Sequence, residues 1–442
     1  MSTETALDRT IHLCGYLVSH ASRAEVLRAL TSTTIAIVAD ADNVQCGACQ
    51  SAIVTLAQLG MHMGFSVRLV APDVALRMPQ PPWRGTTLHE VLRDAASELV
   101  PGVAFTVADE TVGSDVVFAF GDTTCTAVRG WRVMASRWSG WIQPIATRSM
   151  RWAAEFPVGG LAAAVLAAAE AFKSAMRKLG PTGQRAAELA AAEEATLTLG
   201  DESTPVPSDL GRVDCVSGGA IVQATLHVLR RVPSLAARFR VIEPQALDLT
   251  NMNRYSMSRR SQTNMAKTEI LTACSASPFV ITGETAFFDE RSAGALAPLA
   301  PRVVVGTDNI PSRWDVQLAR PQWLVVGGTT EFMAMSSEHD GSAGCAGCVH
   351  PEDDGVRATI PTVSFVSYAA GLSVAARLLR HAAVSASGDS GRVSTFQCLR
   401  LDSPEGQLSW PNVRSPRCPL HCHVRARSAT HTAPSKTGRR AR

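Results

Sequence analysis

The chain runs through one series of elements twice, and that repetition limits the folds open to it more than any other feature. The first pass has a β-branched run, Thr34-Ile35-Ala36-Ile37-Val38, then a helical run from about Cys49 to Met63, then a strand over Ser66–Val70. Asp115-Val116-Val117-Phe118-Ala119-Phe120-Gly121-Asp122-Thr123 comes next, and Phe156-Pro157-Val158-Gly159-Gly160 leads into an Ala-rich helix over 161–178. The second pass has a strand over Val213–Val216, a helix at about 220–231 and a strand over Phe239–Ile242. Val303-Val304-Val305-Gly306-Thr307-Asp308 takes the place of the earlier Gly-Asp-Thr, and Ile360-Pro361-Thr362 leads into a small-residue helix over 367–381. Strands alternating with helices predict a doubly wound parallel sheet in each pass. The expected fold class is therefore α/β, with two tandem Rossmann-like domains at 1–180 and 206–425. Between them, Gln184–Glu194 is rich in Ala and Glu and Asp201–Asp209 in Ser, Pro and Asp, so 181–205 reads as a helical connector and linker. Residues 426–442 read as a basic disordered tail.

Composition narrows the function classes. With 46% hydrophobic and 18% charged residues over 442 positions, most of the chain is expected to be globular. A net charge of +3 is too small to argue for nucleic acid or a membrane surface as partner. The start, Met-Ser-Thr-Glu-Thr, lacks the basic and apolar regions of a signal peptide. Leu161–Ala169 is too short to span a bilayer and is bounded by Glu155, Glu170 and Lys173. A cytoplasmic location is expected, where eleven cysteines point to metal or free thiols rather than disulfides.

Residues 241–313 carry the chemistry. A strand ends at Glu243, Thr250-Asn251-Met252-Asn253-Arg254 follows, then Lys267, then a strand ending in Gly306-Thr307-Asp308-Asn309. An Arg and a Lys at the open end of a parallel sheet neutralise phosphate, and an Asp there holds a divalent metal. An acid at the end of the second strand, here Glu243, hydrogen-bonds ribose hydroxyls. This order and spacing resemble the adenylating domain of the ubiquitin-activating enzyme-like superfamily, whose bacterial members include ThiF, MoeB and HesA. The resemblance covers 206–425 well and the first half in outline. It implies that Asn251, Arg254, Lys267 and Arg313 contact ATP, with Asn309 beside them, and that Asp308 holds Mg2+ and is catalytic. Arg254, Lys267 and Asp308 are the expected catalytic set.

The chain departs from the family pattern at two places. The phosphate turn, Val216-Ser217-Gly218-Gly219-Ala220-Ile221-Val222, replaces the first and third glycines of Gly-x-Gly-x-x-Gly by Ser217 and Val222. Gln245 stands where a second acid is usual, with Asp248 nearby. The first half lacks the Asn-x-x-Arg and Lys set, its strand 66–70 ending in Ala71-Pro72-Asp73. Because the family works as paired adenylating domains, the resemblance implies an intrachain pseudo-dimer of an inactive and an active copy, with a homodimer also allowed. A partner-domain arginine often completes the site in that family; Arg9, Arg23 and Arg28 are the candidates.

Cys345-Ala346-Gly347-Cys348 and Cys418-Pro419-Leu420-His421-Cys422 suit a tetrahedral structural Zn2+ site, with His350, His421 and His423 as nearby substitutes. Cys46-Gly47-Ala48-Cys49 admits a redox reading, although small residues packed at a helix start account for it better. The crossover segment His350–Thr362 has no cysteine, and Cys215, Cys274 and Cys398 lie elsewhere, so no thioester is expected on this chain. The activated carboxylate then passes to a sulfur donor, an amine or a second protein.

Three functions compete. The first is an ATP-dependent adenylyltransferase acting on the C-terminus of a ubiquitin-like sulfur carrier or a precursor peptide. The second is a catalytically degenerate relative serving as a binding scaffold. The third, a nicotinamide-dependent dehydrogenase, predicts a regular Gly-x-Gly-x-x-Gly and leaves the Asn-x-x-Arg, the Lys and the cysteine pairs unexplained.

Overall fold

A computed structural model describes residues 2–125, 127, 129–180, 189–350, 361–387, 395–400 and 407–422. His423, most of the 350–362 crossover, the first part of the connector and the basic tail lie outside the described residues.

Two helices open the chain, α1 (Thr3–Leu17) and α2 (Arg23–Thr31). Each starts at a serine whose hydroxyl accepts a first-turn N–H, Ser2 from Thr5 and Ser22 from Glu25. The first sheet holds β1 (Thr34–Val38), β2 (Ser66–Val70), β3 (Phe105–Val107), β4 (Val116–Phe120), β5 (Gly130–Ala135), β6 (Ser139–Pro144) and β7 (Ala195–Thr198). Its helices are α3 (Gly47–His62), α4 (Leu88–Glu98) and α5 (Pro157–Arg177). The second sheet holds β8 (Asp209–Val216), β9 (Ala236–Ile242), β10 (Phe279–Glu284), β11 (Arg302–Val305), β12 (Trp323–Thr330), β13 (Met333–His339), β14 (Thr395–Arg400) and β15 (Gln407–Pro411). With it come α6 (Ala220–Leu229), α7 (Lys267–Thr272), α8 (Ala293–Leu296), α9 (Ile310–Leu318), α10 (Ala346–Val349) and α11 (Ser364–Ser387).

The spatial orders are β3-β2-β1-β4-β5-β6-β7 and β10-β9-β8-β11-β12-β13-β14-β15. They match strand for strand, and the second sheet adds one edge strand. Both sheets are mixed, where the sequence predicts parallel ones. β1 to β5 and β8 to β12 pair in parallel, while β6 and β7, and β13 to β15, run antiparallel. The reason is the length of the connections. Only Glu331 and Phe332 separate β12 from β13, and Glu331 has a positive φ of 45°. That is a tight hairpin with no room for a crossover helix.

The stretch 181–205, read as connector and linker, contains β7. Only Leu197 among its four residues is buried, so the strand carries almost no apolar alternation. The apolar helix is also longer than the sequence suggested: α5 has 21 residues, long and apolar enough to cross a membrane, yet 89% of that window is buried inside the protein. It packs against α3 on its own side and α11 on the other. Phe172 from α5 meets Phe332 and Phe365 of the second half at ring distances of 5.7 and 5.5 Å. α11 in turn lies close on α6. A Cβ at Gly371 would sit 2.4 Å from the Ala224 methyl, so only glycine permits that approach.

Buried polar bonds join the halves as well. Gln58 on α3 donates to the Ser256 carbonyl at 2.9 Å and accepts from Trp83 and His227, both at 3.1 Å. His62 bonds the Met252 carbonyl, and Asn253 donates to Thr10 on α1 at 2.9 Å. Arg259 forms ion pairs with Asp94 at 2.6 Å and Glu98 at 3.4 Å on α4. The segment that carries Asn251 and Arg254 is therefore held from beneath by the first half.

Candidate active site

The strand order of the second sheet reverses at β8, which lies between β9 and β11. Open α/β sheets bind ligands at such a switch point, beyond the carboxyl ends of the strands. A cavity of about 360 Å³ lies there. Its floor is the β8–α6 turn. Ser217 adopts a φ of +93°, the left-handed region in which a glycine would carry no strain. Its hydroxyl accepts the Gly219 N–H at 2.9 Å, which offsets part of that cost. A Cβ at Gly218 would press on Glu243 at 3.1 Å.

The missing third glycine is made good on the facing strand. A Cβ at Gly306, just past β11, would meet the Val222 side chain at 2.9 Å, so the small residue has moved from helix to strand. Gln223, fully buried, stitches the turn to the basic segment. It donates to the Gly218 carbonyl at 3.1 Å and accepts from the Met257 N–H and the Ser258 hydroxyl at 3.0 Å. No sequence signal marks it beyond an amide in an apolar helix.

Glu243, buried, immediately follows β9. One carboxylate oxygen accepts the Gly218 N–H at 2.7 Å and the other the Gln245 N–H at 2.9 Å. Lys267, 3% exposed at the start of α7, donates to the Gln245 side-chain carbonyl at 2.7 Å and stands 3.9 Å from Glu243. Gln245 thus takes the lysine where an acid would otherwise pair with it. Asn251 caps its own turn, its side-chain oxygen accepting the Asp248 N–H at 3.0 Å.

Arg254 is 6% exposed and has no carboxylate within ion-pair distance among the described residues. One guanidinium nitrogen donates to the Thr250 carbonyl and the Asn253 side chain. Burial lowers its pKa to about 10, so it stays charged at neutral pH. Tyr255 supports both cations, its ring centre 5.3 Å from the Arg254 guanidinium and 5.4 Å from the Lys267 ammonium.

Asp308 is exposed at the cavity edge. Asn309 is occupied as the cap of α9, accepting the Ser312 N–H at 3.1 Å. Arg313 also turns inward: it donates to the Thr307 carbonyl at 2.8 and 3.1 Å and to His350 at 3.2 Å. Asn309 and Arg313 line the cavity, but in this arrangement they fix the loop bearing Asp308. Of the three arginine candidates, Arg9 on α1 lines the cavity. Arg23 pairs with Asp8 at 2.7 Å and Glu4 at 3.6 Å, and Arg28 lies exposed on α2. Three cations facing a cavity of this size, one of them buried without an anion, fit a polyphosphate.

The sulfurs of Cys345, Cys348, Cys418 and Cys422 lie within 4.8 Å of one another. The shortest separations are 3.3, 3.4 and 3.7 Å. Four sulfurs at the Zn–S length of about 2.3 Å would be roughly 3.7 Å apart, so the set fits Zn2+. His421, at a φ of +49°, absorbs the extra residue of the second pair, and Ser415 N–H points to Cys348 Sγ at 3.3 Å. His350 is not available as a ligand substitute, because both its ring nitrogens are bonded elsewhere. Cys46 and Cys49 sit at the start of α3, where burial raises both thiols above their ordinary range, so neither favours the reactive thiolate.

The model of the BilD N-terminal domain matches residues 34–191. Uncharacterized protein y4jF of Sinorhizobium fredii is 30% identical over 159 residues, which is 35% of this chain and 30% of that protein. The match thus spans under a third of that relative's length. Solved structures of E. coli MccB are similar at 16% identity. MccB with MccA gives a TM-score of 0.39, covering 48% of this chain and 66% of that one. MccB with ATP gives 0.38, covering 48% and 67%.

Proposed function

We propose that the chain is an ATP-dependent adenylyltransferase that activates a C-terminal carboxylate, on a ubiquitin-like sulfur carrier or a precursor peptide, as an acyl-adenylate. The observation that carries this is the buried, unpaired guanidinium of Arg254, which faces a cavity shared with Lys267, Arg9 and Asp308. A buried cation without an anion costs several kcal/mol, and an anionic ligand removes the cost.

On this reading a substrate carboxylate oxygen attacks the α-phosphorus of ATP. The bond from that phosphorus to the bridging oxygen breaks, and pyrophosphate leaves with the electron pair. No side-chain nucleophile takes part; positioning and charge neutralisation supply the rate. Arg254, Lys267 and Arg9 hold phosphate oxygens and Glu243 takes the ribose hydroxyls, while the Gly218 and Gly219 amides, bonded to Glu243 and to the Ser217 hydroxyl, shape the turn beneath the nucleotide. Asp308 would hold Mg2+, which supplies further neutralisation of the phosphate charge. The four cysteines would hold Zn2+ as a structural centre.

The first half, 1–180 together with β7, would be an inactive copy standing in for a second subunit, so that one chain forms the complete unit. Its matching crevice is filled. Asn43 donates to Asp40 and Asp122, both at 2.9 Å, and accepts the Trp152 N–H at 2.7 Å. Arg132 donates to the carbonyls of Gly121, Thr123, Ile145 and Thr147 beside it.

The test is pyrophosphate exchange into ATP with a carboxylate substrate, such as a small protein ending in a flexible glycine-rich tail. Asp308→Ala should abolish exchange while the protein still unfolds cooperatively; full exchange in that variant sinks the assignment. The strained Ser217 and the Gln245 substitution favour one second reading, a degenerate scaffold. It predicts that the full chain binds such a partner yet never exchanges pyrophosphate.

A further inference from the structure

We propose that Ser337 and His350 are positioning residues for Asp308, and that the hydrogen-bond chain they complete ties the aspartate's loop to the four-cysteine knuckle. The catalytic consequence rests on the adenylating reading; the linkage itself rests on the geometry alone.

The chain starts at Arg313, whose guanidinium grips the Thr307 carbonyl next to Asp308. A further guanidinium nitrogen lies 3.2 Å from His350 Nδ1. Arginine only donates, so Nδ1 must accept, and the proton of neutral His350 is on Nε2. Nε2 therefore donates to Ser337 Oγ at 2.9 Å. At the far end the Gly344 carbonyl can only accept, so His339, 2.8 Å away through Nδ1, carries its proton there, and its Nε2 accepts from the Ser337 hydroxyl at 2.9 Å. Asn412 also approaches Nδ1, at 3.5 Å, but the shorter contact needs the proton there. Gly344 immediately precedes Cys345, a knuckle ligand candidate.

Each link fixes the next, and all four side chains are buried: Arg313, His350 and His339 are 7%, 6% and 3% exposed, and Ser337 is sealed. Two further bonds run beside the chain. Trp314 on α9 donates to the His350 carbonyl at 3.0 Å, and Gln317 on α9 accepts the Ala346 N–H at 3.0 Å. The helix that Asn309 caps is thus fastened to the knuckle along its length.

The experiment compares the full chain with Ser337→Ala and Ser337→Thr, metal content measured in each, by amide hydrogen exchange. Removing the hydroxyl leaves the His350 N–H unsatisfied, which should raise exchange over residues 307–313 by about tenfold, while Thr restores it to within about threefold. Bound metal should be the same in all three. Stripping metal from the wild type with a chelator should raise exchange in the same segment, and should add little in Ser337→Ala. Unchanged exchange over 307–313 in Ser337→Ala overturns the proposal, as does equal behaviour of the Ala and Thr variants. A second readout is the Mg2+ dependence of pyrophosphate exchange. The half-saturating Mg2+ should rise about tenfold in Ser337→Ala, with metal-free ATP affinity unchanged. A wild type that shows the amide pattern but no pyrophosphate exchange would remove the adenylating reading and support the linkage.

Discussion

Replacing Arg254 by methionine should cost the protein almost no stability and most of its affinity for ATP. Two effects on stability oppose each other. Burial moves the guanidinium from 12.5 to about 10. At about 1.4 kcal/mol per pKa unit, the charged form is held roughly 3 kcal/mol above its unfolded reference. The folded value lies below the unfolded one, so this penalty is complete below pH 10 and fades only as pH rises beyond it; at pH 7.5 removing the charge returns all of it. Against that, the buried Asn253 side-chain oxygen loses its donor, a cost of about 1–3 kcal/mol, and the part-buried Thr250 carbonyl loses one that water can partly replace. The methionine keeps an apolar stem against Tyr255. The two sides nearly cancel, so the melting temperature without nucleotide should stay within a few degrees of the wild type. Affinity does not cancel. Each lost charge-assisted phosphate contact is worth about 1.5–3 kcal/mol, or roughly 10- to 150-fold in Kd. At an ATP concentration that stabilises the wild type by about 2.7 kcal/mol, the variant should gain about 1.4 kcal/mol or less. Thermal unfolding with and without Mg-ATP measures both numbers. A variant that melts far lower on its own, yet keeps the full ATP shift, would show that Arg254 is a structural bolt and refute the reasoning.

Three further outcomes are expected. Protein purified without added zinc should carry about one equivalent of metal, and Cys348→Ser or Cys418→Ser should lose it and unfold at lower denaturant; an equally stable metal-free wild type rules the centre out. His62 is buried and held at about 4, so below its usual 6.5 the unfolded state takes up a proton that the folded state refuses. Stability should therefore fall with pH through that window, by about 2 kcal/mol at pH 5, and the urea midpoint should drop less in His62→Gln; an equal drop in both proteins would exclude His62 as the source. The second half expressed from about residue 200 should be poorly soluble and inactive, and the whole chain should bind one ATP; two equivalent sites, or full activity from the half, would show the repeat misread.

What could be read in advance follows from how local each signal is. The β-branched runs, the small-residue helices and the order Glu243, Asn251, Arg254, Lys267, Asp308 are contiguous patterns, and the structure brings these five residues to one cavity. Choosing Arg9 over Arg23 and Arg28 needs the packing of α1 against the 249–251 turn, which no local pattern encodes. The loss of the third turn glycine reads as a defect in sequence because the fingerprint is written along one segment. Its compensation sits at Gly306, just past the end of another strand. Asn309 and Arg313 have the composition of phosphate contacts, but their hydrogen bonds are spent on the loop itself. The antiparallel strands of both sheets leave little trace in the sequence, because Ser136–Trp138 and Glu331–Phe332 are too short to read as anything but strand interruptions.

On the adenylating reading, the difference between the two crevices accounts for one active site in a chain built from a repeat. In sheet register Val38 lies beside Ala119, and Val216 beside Val305. One residue on, Phe120 therefore stands where Gly306 stands, and Asp122 where Asp308 does. Phe120 is sealed in the core and stacks on Trp152 at 5.8 Å, closing the space that Gly306 leaves to Val222. The turn after β8 is the short Ser217–Gly219, whereas residues 39–46 intervene between β1 and α3, and that length lets Asn43 fold back onto Asp122. A Cβ at Gly121 would lie 2.0 Å from the Asn43 side chain, so the plug is packed to contact. Opening it would take at least Phe120, Asn43 and Trp152 together, which makes reversion by a single substitution physically remote. On the proposed reading the first half holds no nucleotide and serves as a support for the second. Thr10, Gln58 and His62 fasten the segment bearing Arg254, and Arg9 reaches the cavity itself. On the adenylating reading, the inactive copy is then required by the active one for geometry and charge, and Arg9→Ala should slow pyrophosphate exchange although the residue lies in the half without a site.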